Sequence, residues 1–347
     1  MELYVLDSAR TLIGVVESFE YLRWTRRYSQ CGSFECVAIA TPENIALLQI
    51  GNYLWKSNDE ECGIIENITL DDAEKETVTI SGRFATSLMA RRIIWGTEIL
   101  NGDLVPQICG LIQRHLTTSA SPERSIGFLD VSDLTPYQVI NEQTSYKNLM
   151  DTICGLCDAK ETGLKTTYNP DTKRFTVTFY KPADSTAVFS KEYENITGQT
   201  YLEGAADTAS IVLVAGEGEG SARVLLAVGG GSGEGRREIF VDARDLQSAD
   251  FPTNYMDVLA FRGQSALAER APVQSFDAGI NPHGNLRYKV DYDLGQRVQV
   301  QSKKWGVTLF ARITEIEESY DVSGLSLNIV FGKGVLTLAQ KLKQGGI

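Results

Sequence analysis

The stretch Ile211–Leu246, IVLVAGEGEGSARVLLAVGGGSGEGRREIFVDARDL, holds two glycine runs, Gly216–Gly220 and Gly229–Gly235, each between segments that read as strands. A glycine loop after a strand is also the signature of a nucleotide-binding enzyme, so this stretch decides both the fold and the class of function. A phosphate cradle needs backbone N–H groups at a helix start, with Lys and Ser/Thr or a third glycine at fixed spacing. The segments after the two runs are β-like instead, Ala222–Val228 and then Glu238–Val241. Neither run completes G-x-G-x-x-G, and no G-K-S/T occurs. Glu217, Glu219 and Glu234 would repel a phosphate at close range. The glycines therefore read as strand connectors, placed where the chain needs φ > 0 and freedom to turn.

The remainder of the chain agrees with a β-rich, non-enzymatic reading. At 347 residues, with 43% hydrophobic and 22% charged residues, it is long enough for two or three domains with their own cores. No apolar run reaches the ~18–20 residues of a membrane span, and MELYVLDSARTLIG lacks the basic and apolar regions of a signal peptide. The expectation is a chain made in a cytoplasm, where its six cysteines stay reduced and the glycosylation patterns at Asn67 and Asn195 have no consequence. The net charge of −12 argues against tight nucleic-acid binding, which rests on neutralising phosphates. An acidic surface can still guide DNA without holding it.

Periodicity divides the chain in three. Residues 1–98 read as strands: a hairpin of Ser18–Trp24 and Ser33–Ala40, then a second pair of Gly63–Leu70 and Glu76–Ser81. Alternation puts Ile64, Ile68 and Leu70 on one face of that pair. Pro42 opens a short helix. Residues 99–195 change period: Asp103–Leu116 and Ser145–Ala159 read as helices, with Ser145 as N-cap, before a hairpin of Leu164–Tyr168 and Lys173–Tyr180. Residues 196–347 return to strands, interrupted by a helix near Asn254–Arg270 and closing in a meander over Gln296–Ser302, Val307–Glu317 and Leu325–Phe331. The triads Val16-Glu17-Ser18, Ile65-Glu66-Asn67 and Ile316-Glu317-Glu318 suggest that the first and last regions are built alike.

No chemistry stands out. Cys154-Gly155-Leu156-Cys157 falls mid-helix on an apolar face, where it reads as core, and Cys31 and Cys36 lie on a distant predicted hairpin rather than completing a metal set. His115 reads as a packed residue and His283, in Asn281-Pro282-His283-Gly284, as a turn residue. Glu315, Glu317 and Glu318 read as the solvated face of a strand. No catalytic, cofactor-binding or metal-binding residue is assigned, and no cofactor is expected.

GEGEGSARV and RREIFVDARDL resemble a family of siphophage and prophage tail-tip proteins, corresponding to the tail-attached part of the tail-associated protein and to the baseplate hub of contractile tails. Other stretches agree: Gly14–Cys36 with Gly32-Ser33-Phe34-Glu35, Gly63–Arg92 with Ser81-Gly82-Arg83, Val188-Phe189-Ser190, Tyr193-Glu194-Asn195, and Tyr292-Asp293-Leu294-Gly295 through Gly332. The resemblance implies a β-rich α+β fold in which two tube-forming β-barrel or sandwich domains (1–98 and 196–347, the latter with an inserted helix) flank an α/β domain (99–195). It implies a homotrimer at the virion tail tip, assembled in the host cytoplasm. There it would contact the distal tail or tail tube protein, the tape-measure protein and a receptor-binding or fibre protein, and DNA would pass through its acidic bore without sequence-specific binding. Because the sequence ends at Gly345-Gly346-Ile347, fibre or wall-degrading activity is expected from another protein. Within this reading Gly216, Gly218, Gly220, Gly229, Gly231 and Gly233 are candidate assembly-loop residues. The alternatives are a polysaccharide or peptidoglycan hydrolase using surface carboxylates, and a carbohydrate-binding module with Trp24 and Trp55 as platforms.

Overall fold

The computed structural model describes residues 1–332 apart from 17, 74, 119–120 and 133–137, so Glu17 of the first triad and the closing Gly345-Gly346-Ile347 lie outside the described residues. The first region contains β1 (Leu3–Leu6), β2 (Leu12–Val16), β3 (Phe19–Arg27), β4 (Ser33–Ile39), α1 (Pro42–Leu47), β5 (Tyr53–Lys56), β6 (Cys62–Asp71) and β7 (Thr77–Phe84). The middle contains β8 (Thr97–Asp103), α2 (Leu104–Ile112), β9 (Leu129–Val131), β10 (Val139–Ser145), α3 (Leu149–Ala159), β11 (Gly163–Asn169) and β12 (Arg174–Tyr180). The last region contains β13 (Val188–Phe189), β14 (Ile196–Gly204), β15 (Ile211–Ala215), β16 (Leu225–Gly229), β17 (Glu238–Asp242), α4 (Tyr255–Glu269), β18 (Val273–Ile280), β19 (Arg297–Ser302), β20 (Val307–Asp321) and β21 (Gly324–Gly332).

Both predicted hairpins of the first region form, as β3–β4 and β6–β7. Pro42 does open α1, with the Thr41 hydroxyl accepting the Asn44 N–H at 3.2 Å. Two local expectations fail. Ser145 ends β10, and α3 is capped by Asn148, whose side chain accepts the Asp151 N–H. On β6 the register shifts between Ile65 and Asn67, so Ile64 and Ile68 do not share a face. An extra residue inverts the alternation of a strand. Ile64 therefore packs toward the helices, Ile65 and Ile68 pack in the first β core, and Leu70 is 58% exposed.

Thirteen strands belong to one sheet, whose main path runs β14-β18-β21-β20-β3-β4-β7-β6-β5-β1-β2. The first and last regions are thus joined edge to edge, by antiparallel pairing of β20 with β3 from Glu315↔Arg27 to Tyr320↔Leu22. Among the described residues the sheet is open, ending in β14 and β2.

The path contains the same unit twice. The order β3-β4-β7-β6 recurs as β14-β18-β21-β20, two hairpin-like pairs docked in the same sense. The irregularities recur too. The first strand of each unit shifts register at Glu20 or Thr197, between Phe19 and Tyr21 or between Ile196 and Gly198. The third shifts at Glu66 or Thr314. Ahead of that bulge, Gly51 N–H donates to Ile65 and Ile65 N–H to Asn52; in the second unit Gly295 N–H donates to Ile313 and Ile313 N–H to Gln296. Gly51 and Gly295 both have positive φ, +90° and +86°. The structural counterpart of Ile65-Glu66-Asn67 is therefore Ile313-Thr314-Glu315. The sequence triads place the repeat three residues too late, at Ile316, because the bulged residue is Glu in one unit and Thr in the other.

Three further packings complete the chain. Helices α2 and α3, with β8–β10 and β9–β12–β11, share one core with Tyr53, Cys62, Ile64, Leu88 and Met89 of the first region. The second β unit has its own core around Phe276, Ile313, Ile329 and Phe331. Between β14 and β18 the chain leaves the large sheet and forms a small one, β16-β15-β17, with α4 packed on it through Val258 and Leu259.

Candidate functional site

Three features concentrate polar groups: one face of the large sheet, the β3–β20 junction and the glycine loops. On β3, Leu22 and Trp24 point into the core, which leaves Arg23 and Arg27 on the opposite face. There they meet acidic groups of neighbouring strands: Arg27 Nε lies 2.6 Å from Glu315, and Arg23 Nη2 lies 3.3 Å from Glu35. Arg83 of β7 makes a two-pronged contact with Glu66 at 2.7 and 2.9 Å. Glu35, Glu66, Ser81 and Arg83 line a shallow depression on this face. In the second unit Glu317, Ser326 and Asn328 continue it. Asp277 joins them, its carboxyl raised above the ordinary range by partial burial and then by Glu315. The face is polar and its arginines are matched by carboxylates, so the acidity of the whole chain is only weakly expressed there.

The junction behind that face is a buried ionic cluster. Lys56, at the end of β5, is 0% exposed and its ammonium contacts the Glu318 carboxylate, itself 1% exposed. Glu318 is thus not on the solvated side of β20, as the sequence reading has it. The strand alternates, so Glu315 and Glu317 face outward while Glu318 points inward against Trp24. Tyr288 and Tyr320 also donate to Glu318, at 2.9 and 2.6 Å. Asp59 accepts the Trp24 indole N–H at 3.1 Å and lies 3.8 Å from Arg26 and 3.9 Å from both Lys56 and Lys289. Burial pushes Asp59 up, but Arg26, Lys56 and Lys289 outweigh it and hold the carboxyl below its ordinary value. Burial lowers the Lys56 ammonium, against the pull of Glu318 and Asp59. Glu61 is pushed up to about 8 by burial and then by Asp59. Nothing in the sequence pointed to this cluster, because Lys56 and Glu318 are 262 residues apart.

The glycine candidates all fall in the small sheet. Gly216, Gly218 and Gly220 follow β15, and Gly229, Gly231 and Gly233 lie at and beyond the end of β16. Strands come after both runs, as expected. The first loop is a fixed turn: Gly216 N–H donates to the Val224 carbonyl, Val224 N–H to the Glu217 carbonyl, and Glu217 N–H to the Tyr255 hydroxyl at 2.8 Å. Glu217 also accepts the Ser248 N–H at 2.9 Å, and the Ser248 side chain together with that N–H holds its carboxyl below the ordinary range. At Gly218, φ is +92° and a Cβ would lie 2.6 Å from the Ala222 carbonyl oxygen, so glycine is required there. The outer face of this sheet exposes Leu213, Leu225 and Phe240.

The remaining sequence candidates sort simply. Cys154 and Cys157 are buried in the helical core, and burial raises both thiols. Cys31 is not distant from them: the β3–β4 turn meets the end of α3, where the Ser29 hydroxyl donates to the Thr162 carbonyl at 2.8 Å and Thr162 N–H donates to the Cys157 carbonyl. Among the described residues no group of three or more His, Cys, Asp or Glu is placed to hold a metal ion. His115 is buried with Nε2 2.7 Å from Glu98, and His283 sits in its turn with its N–H on Asn281. Trp24 is fully buried, which removes it as a carbohydrate platform; the exposed tryptophans are Trp95 and Trp305. Among the described residues no helix is long and apolar enough to cross a membrane.

Known structures share this architecture. The 43 kDa tail protein of prophage MuSo2 from Shewanella oneidensis is 14% identical, with 96% of this chain and 98% of that one covered and a TM-score of 0.61. A tail protein from Neisseria meningitidis MC58 is 12% identical, with 96% of each chain covered and a TM-score of 0.58. Prophage tail protein gp18 from Listeria monocytogenes EGD-e is 12% identical over the whole of both chains, again with a TM-score of 0.58. No match was found among curated proteins. The family profile described as Siphovirus ReqiPepy6 Gp37-like protein matches residues 2–333. The duplicated sheet and the glycine-bearing insert thus have the fold of these phage tail proteins, and the chain is a member of the Siphovirus ReqiPepy6 Gp37-like family.

Proposed function

We propose that this chain is a tail protein and the hub of the tail tip, a homotrimer that joins the tail tube to the distal host-recognition apparatus and encloses the passage for DNA. The observation that carries the reading is the duplicated unit, β3-β4-β7-β6 and β14-β18-β21-β20, fused into one sheet with a core on one side and a polar face on the other. Three such chains present six similar units, which suits a sixfold tube. The polar face is the one that suits the bore. DNA phosphates meet arginines already satisfied by Glu35, Glu66 and Glu315, and so gain little by releasing counterions there. The two β-rich tube domains correspond to residues 1–98 and 196–347, and the α/β domain to 99–195, on the outside.

In this reading Gly216, Gly218, Gly220, Gly229, Gly231 and Gly233 shape loops against which the next tail component packs. Deleting Gly229–Gly235 is expected to stop tail assembly while leaving the large sheet folded by circular dichroism; normal infectious particles would refute the role of the loops. The hub itself is tested by image reconstruction of antibody-labelled tails. Three copies in a ring at the distal end of the tube are expected. Absence from that end, or a copy number other than three, overturns the proposal.

A further inference from the structure

The duplication leaves two strand edges without their counterparts. In the second unit, β20 is paired along its first half with β19 (Val307–Arg312) and along its second half with β3 (Glu315–Tyr320). In the first unit, the equivalent strand β6 is paired at its start with β5 (Cys62–Ile64), while Asn67–Asp71 has β7 on one side and no strand on the other among the described residues. The strand equivalent to β3 is β14, which ends the sheet with β18 as its one strand neighbour among the described residues. One chain therefore carries a half-open β6 at one place and an open β14 at another, and these are the two halves of the contact that it already makes internally.

We propose that β14 of one copy adds antiparallel to Asn67–Asp71 of β6 in the next copy, reproducing the β3–β20 junction between subunits. This rests on the ring reading of the proposed function. The shared bulges fix the register. Counted from them, Asn67 to Asp71 match Glu315 to Ser319, and Thr200 to Gly204 match Arg23 to Arg27. The internal pairs Glu315↔Arg27, Glu317↔Thr25 and Glu318↔Trp24 then translate into Asn67↔Gly204, Thr69↔Leu202 and Leu70↔Tyr201 between copies. The exposures agree: Leu70 is 58% exposed, whereas Glu318 at the corresponding place is 1% exposed under its neighbours, and Leu202 is 38% exposed where Thr25 is 3%. The contact joins two different surfaces of identical chains, so it propagates head to tail and must close to end. Its chemistry is main-chain hydrogen bonding along an edge, with an apolar seam of Leu70 against Tyr201.

The test is disulfide trapping in assembled tails. Thr69→Cys with Leu202→Cys puts both thiols on the polar face at a predicted cross-strand pair, within the ~7 Å Cα limit of a disulfide. Thr69→Cys with Thr197→Cys displaces one thiol by five residues, ~16 Å along the strand, and is the control. Mild oxidation is expected to link the first variant into covalent trimers, with the control at background; Asn67→Cys with Gly204→Cys is a second in-register pair should the first not assemble. Leu70→Lys is expected to leave the single chain folded by circular dichroism and to abolish its incorporation. Tails that contain a ring of the chain but cross-link through neither in-register pair overturn the pairing and leave the hub reading standing. Tails that lack the chain at their distal end remove both.

Discussion

Lys56→Met removes the ammonium at the centre of the β3–β20 junction while nearly keeping its volume. Lys56 sits among Glu318, Asp59 and the rings of Trp24 and Tyr320, its Nζ 5.5 and 5.4 Å from the ring centres. Removing one partner of a buried pair leaves the other uncompensated, at ~3–5 kcal/mol. Glu318 keeps two tyrosine donors and Asp59 keeps Arg26 and Lys289, which puts the expected loss at the lower end, ~3 kcal/mol. With ~2.1 cal/mol/K of unfolding entropy per residue over the 347-residue chain, this lowers Tm by roughly 4 °C. Adding Glu318→Leu removes the orphaned charge, so the double variant is expected to recover to within ~1 kcal/mol of the parent. Urea unfolding followed by tryptophan fluorescence reads this directly, because Trp24 lies in the cluster. A coupling energy below ~0.5 kcal/mol in the double-mutant cycle would show that the two charges act independently and refute the reasoning.

Glu61→Gln is expected to flatten the pH dependence of stability. The unfolded carboxyl loses its proton near 4.5 and the folded one near about 8, so the folded state holds the extra proton in between and parental stability falls as pH rises through that window; parallel curves for parent and variant from pH 5 to 8 would contradict the assignment. Gly218→Ala forces a Cβ to 2.6 Å from the Ala222 carbonyl at φ +92°, and is expected to cost ~1–3 kcal/mol within the small sheet. Hydrogen exchange should quicken in Ile211–Ala215 and stay unchanged in β20; uniform quickening would mean that the insert does not unfold separately. Five of the six cysteines are buried and the half-buried Cys31 thiol is pushed up to about 12 by burial, so native protein should react with a thiol reagent at no more than one slow site and at all six once denatured; rapid native labelling of Cys154 or Cys157 would place them at a surface.

Alternation and turn residues exposed most of the strands, including both hairpins of the first region and the closing meander. They failed at Glu66, where a single inserted residue inverts every later side chain of β6 without leaving a compositional mark. The same kind of event hid the register of the repeat: what recurs at Glu66 and Thr314 is a backbone irregularity, while the side chains differ. Asn148 rather than Ser145 caps α3 because β10 pairs with β8 through Ser145, a long-range contact that no local signal carries. The burial of Glu318 likewise depends on Lys56 from a separate strand. The glycine loops were legible as connectors because the strands after them alternate, but the bonds that fix the first loop come from Tyr255 and Ser248, beyond any local window.

The small sheet and α4 leave the large sheet after Gly204 and return at Val273, two residues that face each other as one antiparallel pair. The entire excursion is thus anchored like a hairpin turn, and its closure is already met by the sheet whatever its length. A segment of quite different size or sequence fits at that point if its two ends meet at the spacing of adjacent strands. What ties the present one down is its lean on the middle region, through Arg262 paired with Glu142, through the Asp245 carbonyl accepting from the Gln143 amide, and through Phe261 in the helical core. A grafted replacement would need that second foothold as well as the first, or it would swing from the edge of the sheet on a single pivot.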